Sequence, residues 1–596
     1  MAEASLILSR RDLEFMLHEW LDVASLTAHP RFAEHSRETF DAVLALAEQI
    51  ATREFAPHYQ ESDRNEPQFV EGGVQMIPEV SKALEALRAS GLLLGAVDQE
   101  LGGIQLPLVV YRACYAWLQA ANVSTAAYPM LTMASAALLA AHGTQEQIHR
   151  YVRPMLEGRF HGTMCLSEPQ AGSSLADITT RARRSNDGSY RLTGSKMWIS
   201  AGDHDLSENI IHLVLARVED APAGVKGLSL FIVPKYLVDA GGIVGEHNDV
   251  VLAGLNHKMG YRGTTNAVLG FGDGAYRPAG EAGAVGYLVG DEGQGLTYMF
   301  HMMNEARIGV GTGAVSLGYT GYLHALEYAR TRTQGRPVDA KSQSAAVPII
   351  RHPDVRRMLL ASKSYVEGGL ALALYAARLV DERDVSTDPV VRADRELLLD
   401  VLTPIVKSWP SQWCLAANDL AIQVHGGYGY TREYPVEQMY RDNRLNPIHE
   451  GTHGIQGLDL LGRKVRLADG RGLELLVNEI EATIDRATAG AREHAGALRH
   501  ALRRLRSTTE QLWSDGDAAA ALAKASVYLE ATGHIVVAWM WLEQELAASG
   551  RAGDFYEGKR AAARYFFDVE LPKALLGLDE LDRGDRLLLE LDEAWF

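Results

Sequence analysis

Apolar residues recur at helical spacing through the first part of the chain. In RETFDAVLALAEQIATREFAP, Phe40, Val43, Leu44, Ala47 and Ile50 follow the i, i+3, i+4, i+7 rule and share one helix face, with Pro57 expected to end the helix. EVSKALEALRASG and the Ala-rich MLTMASAALLAAHG continue the pattern to about residue 160. There the period shortens. RARRSNDGSYRLTGSKMWIS sets the turn signal Asn186-Asp187-Gly188 between two extended runs, and ENIIHLVLARV, GLSLFIVPK and NAVLGFGD read as strands rich in Val, Ile, Leu and Phe. Helical spacing returns with LTYMFHMMNEARIGVGTGAVSLGYTGYLHALEYAR and persists to the end, broken by the polar loop TRTQGRPVDAKSQSAAVP and a glycine-rich segment at 426–429. The order predicts an α+β chain in segregated domains: a helical domain over 1–160, a β-domain over 161–275, a helical bundle over 276–470 and an extra helical domain over 471–596.

Composition agrees with this division and narrows the function. The chain has 596 residues, which at roughly 150 per domain suggests about four units. Hydrophobic residues make up 47% and charged residues 22%, the usage of a globular chain and not of a disordered one. With 58 basic against 76 acidic side chains the net charge is −18, which argues against a nucleic-acid partner, because phosphate contacts need clustered Lys and Arg. Three scattered cysteines, Cys114, Cys165 and Cys414, form neither a disulfide framework nor a zinc cluster and suggest a reducing compartment. The N-terminus has no apolar run of signal-peptide length, and the conspicuous apolar stretch at 535–542 falls short of the about 20 residues that cross a bilayer. A cytoplasmic protein is expected.

Two short motifs invite familiar chemistry. His449-Glu450-Gly451-Thr452-His453 spells the zinc-protease string, which needs both histidines one turn apart on a regular helix. Pro447, Gly451 and Gly454 oppose such a helix, so no metal is expected, although a zinc hydrolase stays as the alternative of a different class. IGVGTGA imitates a dinucleotide fingerprint, but a helical segment and not a strand precedes it, so Gly309, Gly311 and Gly313 are expected to allow close helix packing or cofactor approach.

Several further strings occur together and in order. CLSEPQAGSS (165–174), SKMWIS (195–200), HKMGYRGTT (257–265), QVHGGYGYTREYPVEQMYRD (423–442) and HEGTHGIQGLDLLGRK (449–464) resemble the acyl-CoA dehydrogenase family over about 40–470. YARTRTQGRP and RYFFDVELPKALLGL are similar to its larger bacterial branch, whose fold carries an extra C-terminal helical domain. The resemblance implies an FAD-dependent enzyme that converts an acyl-CoA thioester to the trans-2-enoyl-CoA, the substrate being 3-methylmercaptopropionyl-CoA or a short- or medium-chain acyl-CoA. It further implies electron-transfer flavoprotein as electron acceptor and a homo-oligomer, dimer or tetramer. A same-fold acyl-CoA oxidase is the nearer alternative.

Residue by residue, the match gives Glu450 as the base, with Gly451 beside the thioester and His449 where relatives usually carry Tyr. Leu166, Ser167, Gly172 and Ser173 would lie near the flavin, Ser173 also reaching the substrate, and Trp198 and Ser200 would cover the isoalloxazine and bond its edge. Thr452 would sit near the flavin as well. Gln423, Gly426 and Gly427 match a loop that completes the FAD site of a neighbouring subunit, and Arg332 matches a diphosphate ligand, with Arg330 competing for the role. Arg307 matches a position close to CoA, or else is a helix-face salt-bridge partner. Met130, Met133, Met302 and Met303 are expected to line the acyl pocket, or else to be core.

Overall fold

The computed structural model describes residues 5–71, 73–337 and 344–596, and only the backbone of 301–305, so the pocket expectation for Met302 and Met303 lies outside the described side chains. The chain divides into two units, one made of residues 1–44, 106–120 and 307–596, the other of 45–105 and 121–306. These units group the expected segments and do not follow them one to one. The first 160 residues do not form a unit of their own, and residues beyond 470 share one with the helices before them.

The second unit is built on a sheet. Two small pairs accompany it: β1 (Gln68–Val70) with β2 (Gly73–Gln75), and β8 (Tyr236–Val238) with β9 (Val244–His247). The main sheet contains β3 (Phe160–Cys165), β4 (Arg181–Arg184), β5 (Tyr190–Ser200), β6 (Asn209–Val218), β7 (Leu228–Pro234), β10 (Val250–Leu255), β11 (Asn266–Phe271) and β12 (Ala284–Leu288). Its order is β10-β11-β5-β12-β7-β6-β3, with β4 against β5 and β6. The pairing is antiparallel except where β3 and β4 run parallel to β6. β6 and β7 read as unbroken apolar runs because both of their faces are covered. Ile211, Leu213, Leu215, Leu230 and Ile232 pack on one side with Leu138, Leu139, Tyr151 and Phe160. Val214, Ala216, Phe231 and Val233 pack on the other with Leu192, Leu269 and Phe271. The sheet also runs past the expected end at 275, since β12 lies between β5 and β7.

The other unit is helical. Within the helix Gly295–Thr331, Gly311 lies so near the helix Pro389–His425 that a Cβ there would stand 2.1 Å from the Val406 carbonyl oxygen. Pro410 has no N–H to offer that carbonyl, and glycine lets the neighbouring helix close on it. Gly311 therefore serves helix packing, and Gly313 lies close against Gln119, whose Nε2 would stand 3.1 Å from a Cβ there. The residues beyond 470 add the helices Arg471–Asp485, Arg492–Trp513, Ala525–Ala547, Asp554–Tyr565 and Leu571–Asp582. Trp539 and Trp541 are buried; the first indole donates to Thr483 Oγ1 at 2.7 Å and the second to the Ser364 carbonyl at 3.0 Å. Buried charge ties the ends of the chain together. Lys559 meets Asp12 and, at 2.9 Å, Glu367, while Tyr319 donates to Asp12 at 2.9 Å.

The helical expectations hold in position with two differences. Pro57 does not end its helix: it sits in a 3₁₀ turn, Ala56–His58, from which a further helix, Tyr59–Arg64, starts. Proline's missing N–H costs nothing in a first turn. Among the described residues one helix, Leu108–His142, is long and apolar enough to cross a membrane, and 67% of its apolar window is buried in the fold. Its φ and ψ break from helical values at Asn122, and Pro129 lies inside it.

Truncation after Gly470 is expected to uncover the apolar surface that Trp541, Val537 and Gly533 now cover on the helices Pro353–Val385 and Pro389–His425. Size-exclusion chromatography and flavin absorbance should report aggregated or flavin-poor protein; a soluble, flavin-loaded and active product would contradict this.

Candidate active site

Glu450 lies in the connection between the helices Val436–Asn443 and His453–Gly462. It holds φ +54°, and Gly451 after it holds +89°, so two consecutive residues are left-handed. A side chain in that region costs about 1–2 kcal/mol, and surrounding bonds must hold it there. They are present. The Gln456 amide donates to the Glu450 carbonyl at 3.0 Å, Lys407 Nζ donates to the Gly451 carbonyl at 2.7 Å, and Thr452 Oγ1 caps the following helix by accepting from Ile455 N–H at 3.3 Å. Glu450 itself is half-buried.

Burial raises the Glu450 carboxyl above the ordinary range, and the positive charges of Arg307 and Lys407 pull it part of the way back. Arg307, expected near CoA or in a salt bridge, forms the salt bridge. It is buried and paired with Asp459 at 3.3 Å, so its charge acts on Glu450 and not toward solvent. Lys407, absent from the expected site, is fully buried; burial brings it down to about 7 against the opposing pull of Glu450. His449 is pushed down to about 3 by burial and by Lys407, so it is a neutral imidazole at physiological pH, its Nε2 3.0 Å from Asn446 Oδ1. Substituting His for Tyr there adds no charge beside the Glu450 carboxylate.

The zinc geometry does not form. The helix begins at His453, so His449 lies outside it, and His453 Nε2 faces Glu530 Oε1 at 3.4 Å. The two imidazoles have different partners and share no helix face.

In the sheet unit, residues 166–174 leave β3 as a loop pinned to β5. Met197 N–H donates to the Ser167 carbonyl at 3.0 Å and Lys196 Nζ to the Leu166 carbonyl at 2.9 Å. Beneath it Glu168 is buried with Lys196 at 2.9 Å and accepts from N–H and hydroxyl of both Thr179 and Thr180. Burial alone would raise this carboxyl, but Lys196 and the Thr180 and Thr179 donors hold it at about 2. Above that foundation Trp198, at φ +66°, leaves its indole 56% exposed, Gly172 and Ser173 are exposed, and Leu166, Ser167 and half-buried Ser200 complete the surface. An exposed flat ring beside hydroxyls and open backbone suits a planar aromatic cofactor with a polar edge, as FAD is.

In the helical unit a third group of residues forms around the glycine loop. Gln423, Gly426 and Gly427 are exposed, and a Cβ at either glycine would meet nothing within 4 Å. Arg332, just past the helix Gly295–Thr331, stands over the Tyr428 ring at 5.6 Å, and Tyr328, His425 and Tyr434 stack behind. Glu450, Gly451, Thr452, Arg307, Arg332 and the glycine loop thus belong to one unit, Leu166, Ser167, Gly172, Ser173, Trp198 and Ser200 to the other.

These arrangements are those of a flavin-dependent acyl thioester oxidoreductase. Models of the acyl-CoA dehydrogenase N-terminal, middle and C-terminal domains match residues 37–159, 163–273 and 293–465, and one described as acetyl-CoA dehydrogenase C-terminal like matches 476–592. The chain belongs to the acyl-CoA dehydrogenase family, and it is an FAD-dependent oxidoreductase. It is 37% identical to 3-methylmercaptopropionyl-CoA dehydrogenase of Ruegeria pomeroyi, over 97% of this chain and 98% of that one. It is 34% identical to the broad-specificity linear acyl-CoA dehydrogenase FadE5 of Mycobacterium tuberculosis, over 98% and 99%. The fold is shared with an acyl-CoA dehydrogenase complexed with FAD from Bacillus anthracis, TM-score 0.74 at 19% identity, covering 94% of this chain and 91% of that one.

Because the Glu168 carboxyl sits near 2 instead of near 4.5, its contribution to stability is whole above about pH 4.5 and is lost as pH falls toward 2. Glu168→Gln leaves Lys196 buried without its counter-charge, a loss of about 3–5 kcal/mol. Urea unfolding at several pH values should find that loss at neutrality and a flatter acid dependence in the variant.

Proposed function

We propose that Glu450 is the base that removes the α-proton of an acyl-CoA thioester. The observation that carries this is a half-buried carboxylate, raised by burial, in a left-handed turn braced by two side chains. Bound FAD would supply the acceptor for the hydride that leaves Cβ. Loss of the proton to the Glu450 carboxylate and of the hydride from the neighbouring carbon leaves the trans-2-enoyl thioester, with atoms and electrons balanced. Arg307 and Lys407 keep the carboxylate ionised before the transfer. Residues 166–174 with Trp198 and Ser200 would hold the isoalloxazine ring system. The names of the relatives support a short or medium linear acyl chain, 3-methylmercaptopropionyl among them, and the family supports an electron-transfer flavoprotein as acceptor. Three reduced, buried cysteines suit a cytoplasmic setting.

Glu450→Gln is expected to retain FAD and bind acyl-CoA yet lose turnover by about 10³-fold or more, since an amide accepts no proton. Flavin bleaching with a panel of acyl-CoAs measures both quantities, and near-normal turnover would remove Glu450 as the base.

We further propose that the enzyme works as a homo-oligomer, with Gln423, Gly426, Gly427 and Arg332 completing a neighbour's FAD site. The open space over both glycines supports this. Gly427→Asp is expected to weaken FAD retention while circular dichroism stays unchanged. A fully active monomer by light scattering would contradict the assembly.

A further inference from the structure

Lys407 is a lysine in an apolar place. It lies inside the helix Pro389–His425 between Pro404 and Pro410, with Ile405, Val406 and Trp409 buried around it, and its side chain is fully buried. A buried ammonium is costly unless it is paired and bonded. Among the described residues no ion pair joins Lys407 to a carboxylate, and its one hydrogen bond runs to the carbonyl of Gly451, at 2.7 Å. That carbonyl belongs to the residue after Glu450. The two peptide planes that follow the carboxylate-bearing residue are therefore each held by a buried side chain from a different helix: the first by Gln456, the second by Lys407.

We propose that Lys407 is a positioning residue for the base: it clamps the left-handed Glu450–Gly451 turn through the Gly451 carbonyl, and its charge keeps the Glu450 carboxylate ionised. This rests on the reading of Glu450 as the base. Every element around that carboxylate enters the balance. The helix Gly295–Thr331 supplies Arg307, whose charge is matched by Asp459 of the helix His453–Gly462 at 3.3 Å. The turn supplies His449, which burial, with a smaller push from Lys407, holds near 3, so that burial keeps it neutral in the variants as well. Lys407 is the cation with no carboxylate partner of its own, so removing it changes the field at Glu450 without releasing another acid.

The test is the pH profile of kcat for Lys407→Met, Lys407→Gln and Lys407→Arg, each loaded with FAD, with flavin content read by absorbance. Lys407→Met should lower kcat by about 10²-fold, the loss expected when a catalytic group is misplaced by an ångström. Its KM should change less. The acidic limb, where rate is lost as Glu450 takes up a proton, should move to higher pH because the carboxylate has lost a neighbouring cation. Lys407→Gln restores a donor without charge and should recover part of kcat while keeping the shifted limb. Lys407→Arg restores the charge and should return the limb toward its original position. An unmoved acidic limb with normal kcat in the Met and Gln variants overturns the proposal, as does a loss of activity that only follows loss of flavin. The two readings fail separately. A normally active Glu450→Gln enzyme removes the base, whereas an inactive one beside unaffected Lys407 variants removes only the role of Lys407.

Discussion

A carboxylate that takes a proton from carbon has to be dry enough to be basic and still be ionised. On the proposed role of Glu450, the helical unit meets that demand around its carboxylate. Dryness comes from burial, which raises the carboxyl; ionisation comes from Arg307 and Lys407, which oppose the rise. Each cation must then be accommodated in its turn. Arg307 is matched by Asp459, and Lys407 finds the Gly451 carbonyl. Bringing both cations to one carboxylate requires the helices Gly295–Thr331 and Pro389–His425 to run close together, and Gly311 opposite the Val406 carbonyl permits that approach.

The sheet unit answers the opposite requirement with the same materials. Glu168 and Lys196 are both buried, yet Glu168 accepts from four threonine donors as well as from Lys196. All of its demand is met and its carboxyl falls to about 2, so it is inert as a base and serves to fix the loop at 166–174. Glu450 has cations near it but few direct donors, and its carboxyl rises. The number of donors bonded to the carboxylate separates a structural acid from a reactive one.

Much of this was legible in the chain. The i, i+3, i+4 spacing marked the long helices, and β6 and β7 announced themselves as apolar runs because both of their faces are covered. β12 escaped, because AVGYL is five residues set among glycines and resembles a turn until β5 and β7 pair with it. Pro57 misled for a local reason, since proline can open a helix as readily as close one. At the site, the string around Glu450 was visible and its neighbours were not. Lys407 stands 43 residues before Glu450 in VLTPIVKSWPSQW, and its bond to Gly451 depends on how two helices cross. A lone lysine in an apolar helical segment was the available signal. For Arg307 the sequence admits both a CoA contact and a salt bridge, and its spacing does not say that Asp459 is the partner.

The helices beyond residue 470 hold none of the strings matched to the flavin, yet they reach Glu450 through one intermediary. The helix His453–Gly462, which begins three residues after Glu450, lies on the helix Ala525–Ala547. A Cβ at Gly457 would stand 2.7 Å from the Ala525 carbonyl oxygen, and His453 faces Glu530 at 3.4 Å. The same tail helix backs the helix that carries Lys407, with Gly533 against Trp409 and the Trp409 indole donating to His534 at 3.4 Å. Both anchors of the Glu450 turn, Gln456 and Lys407, are thus mounted on helices that the tail supports. A displacement of Ala525–Ala547 would reach the carboxylate through its two clamps at once. The added domain therefore backs the two helices that hold the Glu450 turn, while the cations that act on the carboxylate itself, Arg307 and Lys407, come from outside it.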